Sequence, residues 1–146
     1  MTLDFDKYAF KGNEFLHYLE SALENEDRGH AARILRATFR VLRNHLTVEE
    51  SLQMIAQLPL AIKAVYVDGW SPAKHKRVTT VDDFLTEVWN EAGNSAWRDF
   101  DSKGEILECV RAVIQTMQVY VSPEEMEQAL GTLPSKLQQI LESSEW

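Results

Sequence analysis

Apolar residues along this chain recur at helical spacing, in stretches bounded by polar caps, glycines and prolines. Phe15, Leu16, Leu19 and Leu23 predict a first helix from about Asn13 to Asn25, which the EDRG run at 26–29 ends. Ile34, Leu35, Thr38, Phe39, Val41 and Leu42 form a wide apolar stripe and predict a second helix from His30 to His45. Thr47 and Glu50 form a capping box that opens a third helix to about Gln57. Pro59 sits where its missing N–H costs nothing and opens a fourth, to about Val67. The stretch 68–80 follows, with Asp68-Gly69, Pro72 and the basic run Lys74, His75, Lys76 and Arg77, and reads as a linker. Thr80 to Asp83 caps a fifth helix, Ser102 to Glu105 a sixth reaching about Tyr120, and Ser122 to Glu125 a seventh; Pro134 opens an eighth. No strand candidate exceeds the AVYV run at 64–67.

The order of elements repeats. Residues 36–66, RATFRVLRNHLTVEESLQMIAQLPLAIKAVY, return at 111–141 as RAVIQTMQVYVSPEEMEQALGTLPSKLQQIL, 75 positions on. Phe84, Leu85 and Val88 match Phe15, Leu16 and Leu19 at a displacement of 69, so the second copy carries six extra residues, within 93–104. Short helices gain stability by packing rather than by propensity, and one copy alone closes a core poorly. The expected fold is all-α: two tandem four-helix pseudo-repeats packed into one compact helical domain spanning 1–146. Repeat one covers about 13–70 and repeat two about 81–146, joined by the linker 68–80. The two units are expected face to face about a pseudo-twofold, or stacked in tandem.

The segment QLPLAIKAVYVDGW (57–70), preceded by an arginine-bearing helix and a short acidic-capped one, resembles the bacterial family known as domain of unknown function 2267. The second copy, LPSKLQQILESSEW, resembles that family's weaker C-terminal half and departs from it where Ser144-Glu145-Trp146 replaces Gly-Trp. The resemblance runs from about Asn13 to Trp146. It implies an all-helical duplicated fold and carries no activity, cofactor or catalytic residue to transfer.

Composition changes the functional picture more than the fold. With 45% apolar residues in 146, the chain can bury a core. Its net charge of −8 repels polyanions over most of the surface, so nucleic acid is an unlikely partner. A single cysteine, Cys109, allows no internal disulfide and points to a reducing compartment. The N-terminus lacks the pattern of a secretory signal and no apolar run spans a bilayer, so a cytoplasmic location is expected, with oligomeric state open.

Arg33, Arg36, Arg40 and Arg43 fall within ~80° of one another on a helical wheel, opposite the apolar face. Such a basic stripe either docks an acidic protein partner or anion, or is a solvated face bridged to acidic neighbours. The second copy has Glu108, Arg111, Gln115 and Gln118 there, so only Arg36 and Arg111 are shared, and salt bridges to Glu49-Glu50 and Glu124-Glu125 are expected for them. Trp97 and Phe100, in the six-residue insertion, are a candidate aromatic binding loop. Trp70 and Trp146 are expected to plug the seam between repeats. Asp99 and Asp101 begin like a calcium loop, but Lys103 and Val110 stand at its fifth and twelfth positions, and Ser102 to Glu105 serve better as a helix cap. Cys109 falls on an apolar face and reads as an inert buried thiol. His17, His30, His45 and His75 lack metal-ligand spacing and read as surface or boundary histidines. No metal, cofactor or catalytic residue is expected. The leading function is a non-catalytic interaction or adaptor module. The alternative is a small-ligand-binding protein or an enzyme using the cleft between repeats, and the third is nucleic-acid binding through the basic stripe.

Overall fold

The computed structural model describes residues 3–72 and 80–142, the last without its side chain. The regular structure among these residues is helical: α1 (Phe5–Leu23), α2 (Arg28–His45), α3 (Val48–Ile55), α4 (Leu60–Val67), α5 (Val81–Ala92), α6 (Ala96–Asp99), α7 (Lys103–Met117), α8 (Pro123–Leu130) and α9 (Ser135–Glu142), with a 3-10 turn at Gly93–Ser95 between α5 and α6. No strand forms among the described residues, and the AVYV run lies within α4. No helix described is long and apolar enough to cross a membrane.

Local chemistry sets the helix starts. The side chains of Thr47, Thr80, Ser102 and Ser122 each accept a hydrogen bond from the amide three residues on. At Thr47 the box is complete, because Glu50 Oε1 accepts from the Thr47 amide at 2.8 Å. The starts of α2, α3 and α4 (Arg28, Val48, Leu60) and those of α7, α8 and α9 (Lys103, Pro123, Ser135) are each 75 positions apart.

Two elements differ from the expectation. α1 begins at Phe5, eight positions before the first predicted residue, with Asp4 as its N-cap. Phe5 and Phe10 are exposed there and Gly12 is buried, the reverse of a normal amphipathic pattern, so periodicity does not register those turns. The insertion also folds a short helix of its own, α6.

The core is one contiguous apolar cluster drawn from both halves, including Phe15, Leu19, Phe39, Leu42, Phe84, Ile106, Ile114 and Met117. Its most extensive helix pairs cross between the halves: α5 lies on α2, and α1 lies on α7. Phe15 accordingly stacks on Tyr120, with centroids 5.6 Å apart. α2 and α7 also touch each other, and α3 packs on α8. The first helix of each half thus packs on the long central helix of the other. The reason is surface: a first helix has an apolar stripe wide enough to cover a neighbour on each side.

Candidate functional site

The four arginines singled out by sequence all lie on α2, whose N-cap is Asp27; that carboxylate accepts from the amides of Gly29 (2.9 Å) and His30 (3.3 Å). Its apolar face, from Ala31 to Leu42, is buried, which turns the arginines toward the opposite side and the helix edges. The structure then separates them.

Arg33 is consumed by the insertion. Its Nε donates to Asp99 Oδ2 at 2.9 Å and its Nη2 to Asp99 Oδ1 at 2.8 Å, a bidentate pair. His30 Nδ1–H donates to the same Oδ1 at 3.0 Å. The Asp99 carboxylate is buried, its side chain 2% exposed, while Arg33 keeps 34%. Burial pushes the Asp99 carboxyl up, but the hydrogen bonds from Arg33 and His30 outweigh it and hold the group at about 2. The same hydrogen bond to Asp99 raises the Arg33 guanidinium. Sequence reasoning read Asp99 only as a failed calcium ligand; its partners lie 66 and 69 positions away, and nothing local announces them.

Arg43 is consumed by α4. Its guanidinium donates to the carbonyls of Tyr66 (2.9 Å), Asp68 (2.6 Å) and Gly69 (3.2 Å), where a helix end leaves acceptors without intrahelical partners. Arg43 is buried, and burial first, then the neighbouring charge of Arg40, lowers its pKa. Beside it Tyr66 shares a buried hydrogen bond with Ser51 (2.7 Å) and packs edge-on against Phe39 and Trp70. Burial pushes the Tyr66 phenol well above its ordinary value. Trp70 thus stands half-buried against Tyr66, whereas Trp146 and the Lys74–Arg77 run fall outside the described residues.

What is left of the stripe is Arg36, exposed, and Arg40, half-exposed, one turn apart. Among the described residues neither has an ion pair within 4 Å. The bridge expected from Arg36 to Glu49 or Glu50 is therefore not made, and the Glu50 carboxylate is occupied by the cap of α3. With Ala64, Val65 and Asp68 of the α4 segment, Arg36 and Arg40 line a shallow hollow of about 250 Å³.

The aromatic pair of the insertion also divides. Trp97 is 70% exposed, with the Arg98 guanidinium carbon 6.0 Å from its ring centre. Phe100 is buried and packs against Trp89, because the chain turns extended at the end of α6 and drives the ring inward. The two do not form one exposed aromatic patch.

His45 departs from the boundary position expected of it. It is buried, with Nε2 2.5 Å from Glu87 Oε2 and its ring near Phe84. Cys109 is buried as expected, and burial, then Glu105 and Glu108, pushes its thiol up to about 12. Among the described residues no three His, Cys, Asp or Glu side chains converge as metal ligands. Larger concavities also lie among the described residues. One of about 580 Å³ lies between α5, α7 and α9. The other, about 830 Å³, runs from the end of α1 to α7 past Glu24, Glu105 and Glu108.

A family model described as an uncharacterized conserved protein, DUF2267, matches residues 12–140. No curated protein matches the chain.

Proposed function

The chain belongs to that family of uncharacterized conserved proteins, and from this premise we propose that it is a non-catalytic protein-interaction module whose contact face is the Arg36–Arg40 stretch of α2. One observation carries the reading. Of the five arginines on this helix, Arg28 pairs with Glu20 and Arg33 and Arg43 are spent inside the molecule, while Arg36 and Arg40 stand side by side without an ion pair among the described residues. A chain of net charge −8 that keeps two bare guanidiniums beside a hollow is suited to an acidic side chain or another small anionic group on a partner. The charge-reversed double variant Arg36→Glu/Arg40→Glu tests it, since neither side chain supports the fold. The wild type is expected to retain a partner from bacterial lysate, to release it in high salt, and to lose it on charge reversal. Equal capture by both proteins, or none by the wild type, overturns the reading.

The finer architecture belongs to the same reading. The equal spacing of helix starts supports one domain built from two copies of a four-helix unit, about 13–70 and 81–146. The single buried thiol supports a reducing, cytoplasmic setting.

A further inference from the structure

The two halves part company at one helix contact. α1 packs on α4 with Gly12 against Ala61, so closely that a Cβ on Gly12 would stand 2.9 Å from the Ala61 Cβ. At the displacements of the repeat, 69 and 75, the matching residues are Val81 and Lys136. A β-branched side chain and a long amine cannot interlock as glycine and alanine do, and α5 and α9 do not pack closely. The cleft of about 580 Å³ occupies the space that α1 and α4 close in the first half.

Its lining is chemically simple. Val81, Leu85, Leu107 and Pro134 supply an apolar surface, and Lys103, Lys136 and Asp82 supply the charge. Lys103 Nζ is 2.5 Å from Asp82 Oδ1, so those two charges cancel. Lys136, exposed and without an ion pair among the described residues, is the uncompensated charge. A volume of this size falls within the ~300–1,000 Å³ of small-molecule sites. An apolar trough with one cation free of ion pairs among the described residues complements a molecule with an aliphatic body and a single anionic end.

We propose that the α5–α7–α9 cleft binds an aliphatic monoanion, its hydrocarbon chain on Val81, Leu85, Leu107 and Pro134 and its anionic head at Lys136. The site is separate from the Arg36–Arg40 face, and the inference does not depend on the function proposed for that face. Decanoate is the probe, followed by amide NMR on the full chain. Saturable shifts confined to residues 80–85, 103–107 and 134–137 are expected. Decanol should bind at least several-fold more weakly, and decyltrimethylammonium more weakly still. Lys136→Glu, a change at an exposed position, should weaken decanoate about tenfold or more and leave decanol unchanged. Leu107→Trp should fill the trough and abolish both; if it disturbs the fold, Lys136→Glu decides. Decyl phosphate binding in place of decanoate would identify the head as a phosphate and keep the site. The proposal fails if neither anion gives saturable shifts at the cleft, if all three decyl probes bind alike, or if Lys136→Glu binds decanoate as the wild type does.

Discussion

Asp99→Asn is the sharpest probe of how the insertion is held. The substitution keeps the shape of the side chain and removes the charge that Arg33 clasps with two hydrogen bonds. Folding holds the Asp99 carboxyl at about 2, against ~3.9 for an unperturbed aspartate. A folded value below the unfolded one means stability that is present above about pH 4 and is lost as the pH falls through about 2. The difference corresponds to about 2.5 kcal/mol at pH 7 and, on the same titration, to about 1.3 kcal/mol at pH 3. Breaking a fully buried ion pair can cost ~3–5 kcal/mol because a charge is stranded. Here Arg33 keeps a third of its surface in water and can rehydrate, so the lower figure applies.

Urea unfolding followed by far-ultraviolet circular dichroism at pH 7, 4 and 3 measures this. Asp99→Asn is expected to be less stable than wild type by about 2 kcal/mol at pH 7, with the gap roughly halved at pH 3. Amides of 96–100 should exchange faster in the variant, because α6 and Phe100 dock through this carboxylate. Arg33→Gln should give a similar loss, and the double variant should cost much less than the sum. A gap that stays constant from pH 7 to pH 3, or additive single variants, would refute the clasp as an ionic one.

Other consequences can be measured in the same material. Thr38 Oγ1 is buried with no hydrogen-bond partner among the described residues, and Val113 stands 75 positions on, so Thr38→Val is expected to raise stability by about 1 kcal/mol in urea unfolding. Gly12→Ala meets Ala61 at 2.9 Å and should lower the melting temperature despite the better helix former; adding Ala61→Gly should restore more than additivity allows. With its thiol pushed up to about 12, Cys109 should stay unmodified by a chromogenic disulfide at pH 8 and react at once in 6 M guanidinium. Rapid labelling of the folded protein would contradict its burial.

Helix starts were legible because their causes are local. Thr47, Thr80, Ser102 and Ser122 each cap an amide three residues away, and hydroxyl and amide lie in one short window of sequence. The first turns of α1 were not legible, because Gly12 reads as a helix breaker until Ala61 is brought against it. The basic stripe was legible as a stripe and not as a site. A helical wheel shows which residues share a side, and it is blind to what lies across from them. Arg33 meets Asp99 66 positions away, and Arg43 meets the end of α4 23 to 26 positions away. Trp97 and Phe100 are three positions apart, yet one is solvated and the other buried, because α6 ends between them.

The correspondence of residues 69 or 75 positions apart can still separate scaffold from site, on a stricter criterion than difference alone. Differences between copies come in sets that compensate one another. Arg33 has no counterpart arginine, and the residue it binds, Asp99, lies in the segment that holds the extra residues. Ser51, Tyr66 and Arg43 form one polar neighbourhood, while their matches Met126 and Leu141 are buried apolar residues and Gln118 replaces the arginine. Such a set is one copy's way of closing the fold. What singles out a surface is an unshared charge with no ion pair among the described residues: Arg40 against Gln115, and Lys136 against Ala61. The last is the most informative, because the same residue that supplies a charge without an ion pair among the described residues also, together with Val81 in place of Gly12, rules out the helix contact made in the other half, so the cleft and its cation share a cause.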